Sequence, residues 1–136
     1  MKFSTAIALT LLCSGAVPAS AHHSLGNYIT TSPRAIAGIV KTFEWTNPHS
    51  RLVVVVIEPD GSVTEWNFEG ASLGRLAAAG LTKNSVAPGD KVVVTYGPRR
   101  DGKPGGLFVA VSNVANGKTF KLKRDPNYKD STIDGF

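Results

Sequence analysis

The feature that most constrains the fold is the apolar segment Leu52–Ile57, whose sequence is Leu-Val-Val-Val-Val-Ile. Branching at Cβ favours extended backbone, and a run without polar residues is typical of a strand covered on both faces. The tight turn Pro59-Asp60-Gly61 follows. After it, Ser62–Glu69 alternates Thr64, Trp66 and Phe68 with polar residues, as a half-buried strand does. The two segments therefore predict a β-hairpin.

The rest of the chain predicts four more strands and one helix. Strands are predicted at Ala35–Trp45, Arg51–Glu58, Ser62–Glu69, Lys91–Tyr96, Leu107–Val114 and Lys118–Leu122. The helix, Ser72–Ala79, has Ser72 as its N-cap and Gly80 as its C-cap. Asn116-Gly117 predicts a type I′ turn. This order of elements predicts an all-β fold with one short helix, a small OB-fold-like Greek-key barrel. An open β-sandwich of the same strands is the alternative.

The first residues predict export. Met1-Lys2 is cationic, Ala6–Cys13 is apolar, and Ala19-Ser20-Ala21 is a cleavage signal. The apolar stretch is too short to cross a bilayer, so no transmembrane segment is expected once residues 1–21 are removed as a signal peptide. The single cysteine, Cys13, leaves with them. The predicted protein is periplasmic or secreted, with an extended arm at residues 22–34, a barrel domain at 35–122 and a polar tail at 123–136.

Charge adds little to the functional prediction. The formal net charge is +5, from 15 Lys and Arg against 10 Asp and Glu. Much of the excess is local, in Arg99, Arg100 and Lys103 and in the tail. Because an exported protein rarely meets nucleic acid, we interpret these residues as solvated loops, and we expect an exported protein or a small ligand as the partner.

Three histidines remain in the predicted mature chain, His22 and His23 on the arm and His49 in the loop after the first strand. Imidazole suits copper, nickel and zinc, and cleavage after Ala21 would add an N-terminal amine on His22. The arm is long enough for His22 to reach His49. The first hypothesis is therefore a binding protein for a transition metal, copper or else zinc or nickel, held by His22, His23 and His49. The alternative is an exposed terminal pair and a loop histidine bonded to nearby backbone.

A rival hypothesis is a ligand- or partner-binding OB barrel that uses Trp45, Asn47, Arg99 and Arg100 without a metal. An enzyme ranks third, and no catalytic residue is assigned. Glu65 and Glu69 alternate onto the face opposite Trp66, which is more often the solvent face, and no nucleophile motif is present.

Four short motifs carry a family resemblance: His22-His23-Ser24, Phe43–His49 with the pattern F-x-W-x-N-P-H, Pro88-Gly89-Asp90 and Arg100-Asp101-Gly102. With these, residues 22 to about 122 resemble an uncharacterised group of exported bacterial proteins known only as a domain of unknown function. Its usual aromatic residue soon after H-H-S is replaced here by Leu25. The resemblance implies an exported single domain without an established activity. It marks His22, His23, Trp45, Asn47, Pro48 and His49 as residues to test.

Overall fold

The computed structural model describes residues 25–122 of the chain. Its elements are β1 (Arg34–Glu44), β2 (Arg51–Ile57), β3 (Val63–Glu69), α1 (Leu73–Ala78), β4 (Lys91–Pro98), β5 (Gly105–Asn113) and β6 (Thr119–Lys121), preceded by a 3₁₀ turn at Leu25–Asn27. Every predicted strand and the predicted helix are present, and each of their ends lies within two residues of the predicted one. No helix in this part of the chain is long and apolar enough to span a bilayer.

The strands close into a barrel. Their order is β3-β2-β1-β4-β5-β6, and β3 also pairs with β5. The β3–β5 pairing is parallel and the others are antiparallel. A five-stranded Greek-key barrel with its helix between β3 and β4 has the topology of the OB fold, which confirms the predicted fold. The alternative of an open sandwich is wrong, because β3 pairs with β5. This pairing satisfies backbone N–H and C=O groups that would stay unpaired at the edges of an open sheet.

Barrel closure depends on a glycine. Gly105 has a φ of 125° and pairs with Asn67. A Cβ at Gly105 would overlap the Asn67 carbonyl, so a larger side chain would force the strands apart. This contact brings the β4–β5 loop, residues 99–104, against the outer face of β3.

The core fills the barrel and extends beneath α1. Its largest fully buried side chains are Phe68, Phe108, Leu76, Leu81, Leu107, Leu122, Val40, Val54, Val92, Val94 and Val111. Phe68 packs beside Trp66 and Tyr96, with ring centroids 6.2 and 5.2 Å away. Burying one such side chain stabilises the fold by about 1.5–3 kcal/mol.

Two predicted local details differ in the structure. Ser72 is the N-cap of α1, but its side chain makes no capping hydrogen bond. Asn47 Oδ1 accepts instead from the Leu73 N–H at 3.0 Å, because the β1–β2 loop packs against the helix start. A type I′ turn at Asn116-Gly117 is wrong, because it needs two residues with positive φ and only Gly117, at 68°, has one. The Gly117 N–H donates to the carbonyl of Asn113 at 2.9 Å.

The described part of the predicted arm is held against the barrel rather than extended away from it. Tyr28 forms a β-bridge with Arg99, and the Ile29 N–H donates to the Pro98 carbonyl at 2.7 Å. The Arg100 N–H donates to the Asn27 carbonyl at 2.9 Å. These bonds satisfy backbone groups that a free arm would leave to water, and they place Tyr28 beside the β4–β5 loop.

Candidate functional site

A polar cleft of about 760 Å³ lies on the outside of the barrel. Its floor is the outer face of β3, and its walls are the β1–β2 loop, the β4–β5 loop and the segment around Tyr28. The cleft is lined by Tyr28, Glu44, His49, Ser50, Arg51, Glu65, Asn67, Glu69, Arg99, Lys103 and Pro104. We call this region the His49 cleft.

The floor of the cleft follows from the alternation along β3. Side chains two residues apart share a face of a strand, so Glu65, Asn67 and Glu69 point outward together. Trp66 and Phe68 point the other way, into the core. The sequence assigned these carboxylates to the solvent face, and the structure adds two loops that convert that face into a cleft.

Two side chains from distant segments meet on Glu69. The Tyr28 hydroxyl donates to Glu69 Oε2 at 2.6 Å, and His49 Nδ1 lies 3.2 Å from Glu69 Oε1. His49 Nδ1 also lies 3.3 Å from the Gly70 carbonyl oxygen. Both neighbours of Nδ1 are acceptors, so Nδ1 carries a proton, and in the neutral ring Nε2 keeps its lone pair. The His49 side chain is 45% exposed, which leaves the ring open to the cleft.

The Tyr28 hydroxyl acts as a donor in this arrangement. Burial raises the pKa of Tyr28 well above its ordinary value, and the hydrogen bond to Glu69 and the charge of Glu69 raise it further. Tyr28 therefore stays protonated at neutral pH and holds the Glu69 carboxylate from the side opposite His49.

Long-range bonds fix the loop that presents His49. Asn47 joins it to α1, as described above, and Thr46 Oγ1 donates to the His49 carbonyl at 3.2 Å. Ser50 is buried, and its hydroxyl donates to the Ala71 carbonyl at 3.1 Å. Since that hydroxyl faces the interior, Ser50 is not placed as a nucleophile. These hydrogen bonds hold the loop in the position that presents the imidazole to the cleft.

Most charges around the cleft are neutralised in pairs. Arg51 forms two hydrogen bonds to Glu44, at 3.0 and 3.1 Å, and Arg99 forms two to Asp101, at 2.7 and 2.9 Å. The Arg99 guanidinium holds the pKa of the Asp101 carboxyl well below its usual range. At the edge of the cleft, Lys41 pairs with Glu65.

Two polar side chains that line the cleft have no such partner. The Asn67 carboxamide and the Lys103 ammonium make no hydrogen bond or ion pair within residues 25–122. Together with His49 Nε2, they are the groups of the cleft that a ligand can engage without breaking an existing contact.

The residues predicted for ligand or partner binding have structural contacts of their own. Trp45 is half-buried, lies against Phe43 at 5.6 Å and packs on the core. Asn47 bonds to the start of α1, and Arg100 Nε donates to the Gly26 carbonyl at 3.0 Å. Of these predicted residues, Arg99 alone lines the His49 cleft. Their role in binding stays a prediction.

Sequence reasoning did not select Tyr28, Asn67, Glu69 or Lys103 as binding residues. The strand alternation carried a signal for Asn67 and Glu69, because it places both on one face with Glu65. No local pattern marks Tyr28 or Lys103, which reach the cleft through contacts between distant segments.

The predicted metal ligands are placed only in part. His49 lines the cleft, whereas His22 and His23 lie outside the described residues. Over residues 25–122, no group of three or more His, Cys, Asp or Glu side chains is arranged to hold a metal ion. His49 could therefore serve a metal only together with ligands from elsewhere.

Comparisons with known proteins identify the family. A small single-stranded DNA-binding protein from Streptomyces coelicolor resembles the chain with a TM-score of 0.42 and 22% sequence identity, over 65% of this chain and 97% of that one. No curated protein matches the chain. The model of DUF6152, a family of unknown function, matches residues 9–110. The chain is therefore a member of the DUF6152 family.

Proposed function

We propose that this protein is an exported binding module that holds a transition-metal ion, copper or else zinc or nickel, through His49, His22 and His23. The observation that supports this function best is the pair formed by His49 and Glu69. Metal-binding histidines commonly donate one ring N–H to a carboxylate, which fixes the tautomer and directs the other nitrogen at the metal. Glu69 stands in that position toward His49 Nδ1, at 3.2 Å.

The path of the chain supports the participation of the N-terminal histidines. Tyr28 binds the same Glu69 carboxylate as His49. His23 precedes Tyr28 by five residues, and a chain extends at most about 3.6 Å per residue, so its Cα lies within about 18 Å of the Tyr28 Cα. Neutral imidazoles, joined by the amine of a chain that begins at His22, form a nitrogen-rich ligand set suited to copper, nickel or zinc.

Calorimetric titration of the chain that begins at His22 with Cu²⁺ and with Zn²⁺ tests the proposal. We expect binding tighter than micromolar, and we expect it to be abolished by His49→Ala and by the double substitution His22→Ala, His23→Ala. Glu69→Gln should weaken binding by about 10–100-fold, as loss of a carboxylate behind a histidine ligand does. N-terminal sequencing of the exported protein establishes whether His22 carries a free amine.

The matched control is Glu65→Gln, because Glu65 shares the outer face of β3 with Glu69 and pairs with Lys41 rather than with a histidine. Metal affinity should not change in this variant. Binding no tighter than micromolar, or equal binding by the wild type and His49→Ala, would exclude the metal function.

The position of the cleft favours a second candidate function, binding of a small polar ligand without a metal. OB folds commonly bind ligands on the face of their second and third strands, between the first and the last barrel loops. The His49 cleft occupies this position. Nucleic acid is the less suitable ligand, because Glu44, Glu65 and Glu69 would repel its phosphates.

A further inference from the structure

We propose that the His49 cleft also binds a small hydroxylated monocarboxylate, of the sugar-acid class, with Lys103 at the carboxylate and with Asn67 and His49 Nε2 at hydroxyl groups. This inference rests on the second candidate function, binding of a small polar ligand, and names the class of ligand; it requires neither a metal nor His22 and His23. It starts from the three polar groups of the cleft that have no hydrogen-bond partner among residues 25–122: the Lys103 ammonium, the Asn67 carboxamide and His49 Nε2.

Barrel closure places these groups along one strip of the surface. Asn67 pairs with Gly105 across the β3–β5 contact, and Lys103 precedes Gly105 by two residues. Glu69, which holds His49, follows Asn67 on the same face of β3, about 7 Å further along the strand. A ligand that contacts Lys103, Asn67 and His49 together must therefore extend over at least this distance, as a sugar ring with its carboxylate does.

The charges limit the ligand to one negative charge. Arg51 and Arg99 are already held by carboxylates through two hydrogen bonds each. Lys103 is left as the cation of the cleft that forms no direct ion pair within the described residues; its charge also acts on Asp101, whose carboxylate is already bonded twice by Arg99. A carboxylate can pair with Lys103 without breaking an existing ion pair, whereas the second negative charge of a dianion would have no such cation to offset repulsion from Glu44, Glu65 and Glu69.

The Asn67 carboxamide and His49 Nε2 favour a ligand that carries hydroxyl groups. The Asn67 carboxamide offers both a donor and an acceptor, and His49 Nε2 accepts a hydrogen bond while Nδ1 is protonated. Both match the hydroxyl groups of a sugar. The volume of about 760 Å³ lies within the range of small-molecule sites and accommodates one or two sugar rings.

The experiment is a titration of the full exported chain in the presence of EDTA, followed by amide NMR shifts and by calorimetry. The probes are D-glucuronate, its neutral counterpart D-glucose and the dianion glucose 6-phosphate. We expect glucuronate to bind with a dissociation constant of about 1 mM or below, to shift the amides of residues 67–69 and 103–106, and to bind at least tenfold more tightly than either other sugar.

Two substitutions distinguish the contact to the carboxylate from the contact to a hydroxyl group. Lys103→Gln should reduce glucuronate affinity at least tenfold, to the level of glucose, whereas Asn67→Ala should weaken both sugars alike. Lys83→Gln is the matched control, because Lys83 is exposed and lies outside the cleft lining. An unchanged amide spectrum away from the cleft verifies that each variant is folded.

Equal affinity for glucuronate and glucose, no binding at 10 mM, or unchanged affinity in Lys103→Gln overturns the inference. Tighter binding of glucose 6-phosphate overturns the limit of one negative charge. Repeating the titration with the His22→Ala, His23→Ala variant separates the two proposals: the sugar-acid site should persist in a protein that has lost the metal site. Binding that appears only with metal added overturns this inference and leaves the metal function standing.

Discussion

The two faces of β3 differ in what holds their side chains. On the inner face, Phe68 is fully buried and packs against both Trp66 and Tyr96. On the outer face, Glu65 and Glu69 are held by directed bonds from Lys41, His49 and Tyr28. The inner face depends on apolar packing, and the outer face depends on polar partners brought by other segments.

This difference separates stability from binding within one strand. Apolar packing is non-directional and scales with buried area, so the inner face contributes most of the free energy of folding. Exposed ion pairs contribute little to it, typically 0–1 kcal/mol each. The outer face can therefore keep Asn67 without a partner among the described residues at small cost, and such a polar group is available to a ligand.

The largest effect is expected on the inner face. Phe68→Ala should lower the free energy of unfolding by about 3–5 kcal/mol, because it removes a fully buried ring and leaves a cavity. Urea denaturation followed by tryptophan fluorescence measures the change. A loss below 1 kcal/mol would mean that β3 packs with the other register.

The loop that presents His49 should give a smaller effect. Asn47→Ala removes the acceptor for the Leu73 N–H and should cost about 0.5–2 kcal/mol, as loss of a helix cap does. Ser72→Ala is the control, since the Ser72 side chain makes no capping bond. Thermal unfolding and exchange of the Leu73 amide compare the two variants. Equal destabilisation by both would refute the assignment of the cap to Asn47.

Tyr28→Phe should cost about 0.5–1.5 kcal/mol, the net value of one hydrogen bond. It should also change the pH dependence of stability. Because burial raises the pKa of Tyr28 in the folded protein, the unfolded chain releases this proton first, near pH 10, and stability falls as the pH rises further.

The matching measurement is the free energy of unfolding between pH 8 and 11. It should decline less steeply in Tyr28→Phe than in the wild type. Burial also raises the pKa of Tyr96, so part of the decline should persist. An unchanged slope would show that Tyr28 does not keep its proton in the fold.

The smallest effect is expected at the centre of the outer face. Asn67→Ala should change the free energy of unfolding by less than about 0.5 kcal/mol, because Asn67 is exposed and its carboxamide has no partner among residues 25–122. Differential scanning calorimetry compares it with the wild type. A loss near that of Phe68→Ala would abolish the distinction between the two faces.

Local patterns predicted much of the fold and part of the site. The alternation of Ser62–Glu69 identified both faces of β3, and Gly80, with its φ of 84°, follows α1 as predicted. Ser72 is the N-cap of α1 as predicted, but Asn47 rather than Ser72 supplies the side-chain bond to the helix start, and the predicted type I′ turn was wrong. The partners that satisfy those backbone groups, Asn47 and Asn113, are supplied by tertiary packing and by the end of β5, and turn rules do not include them.

The sequence by itself determined the six strands, the helix, their order and the inward-facing residues, because hydrophobic periodicity and turn residues act over a few neighbours. Only the tertiary structure decided that Tyr28, His49 and Lys103 line one cleft on the outer face of β3. Their proximity comes from the closure of β3 on β5 and from bonds between segments far apart in the chain. Such pairings depend on the geometry of the whole barrel, so they leave no periodic trace in the sequence.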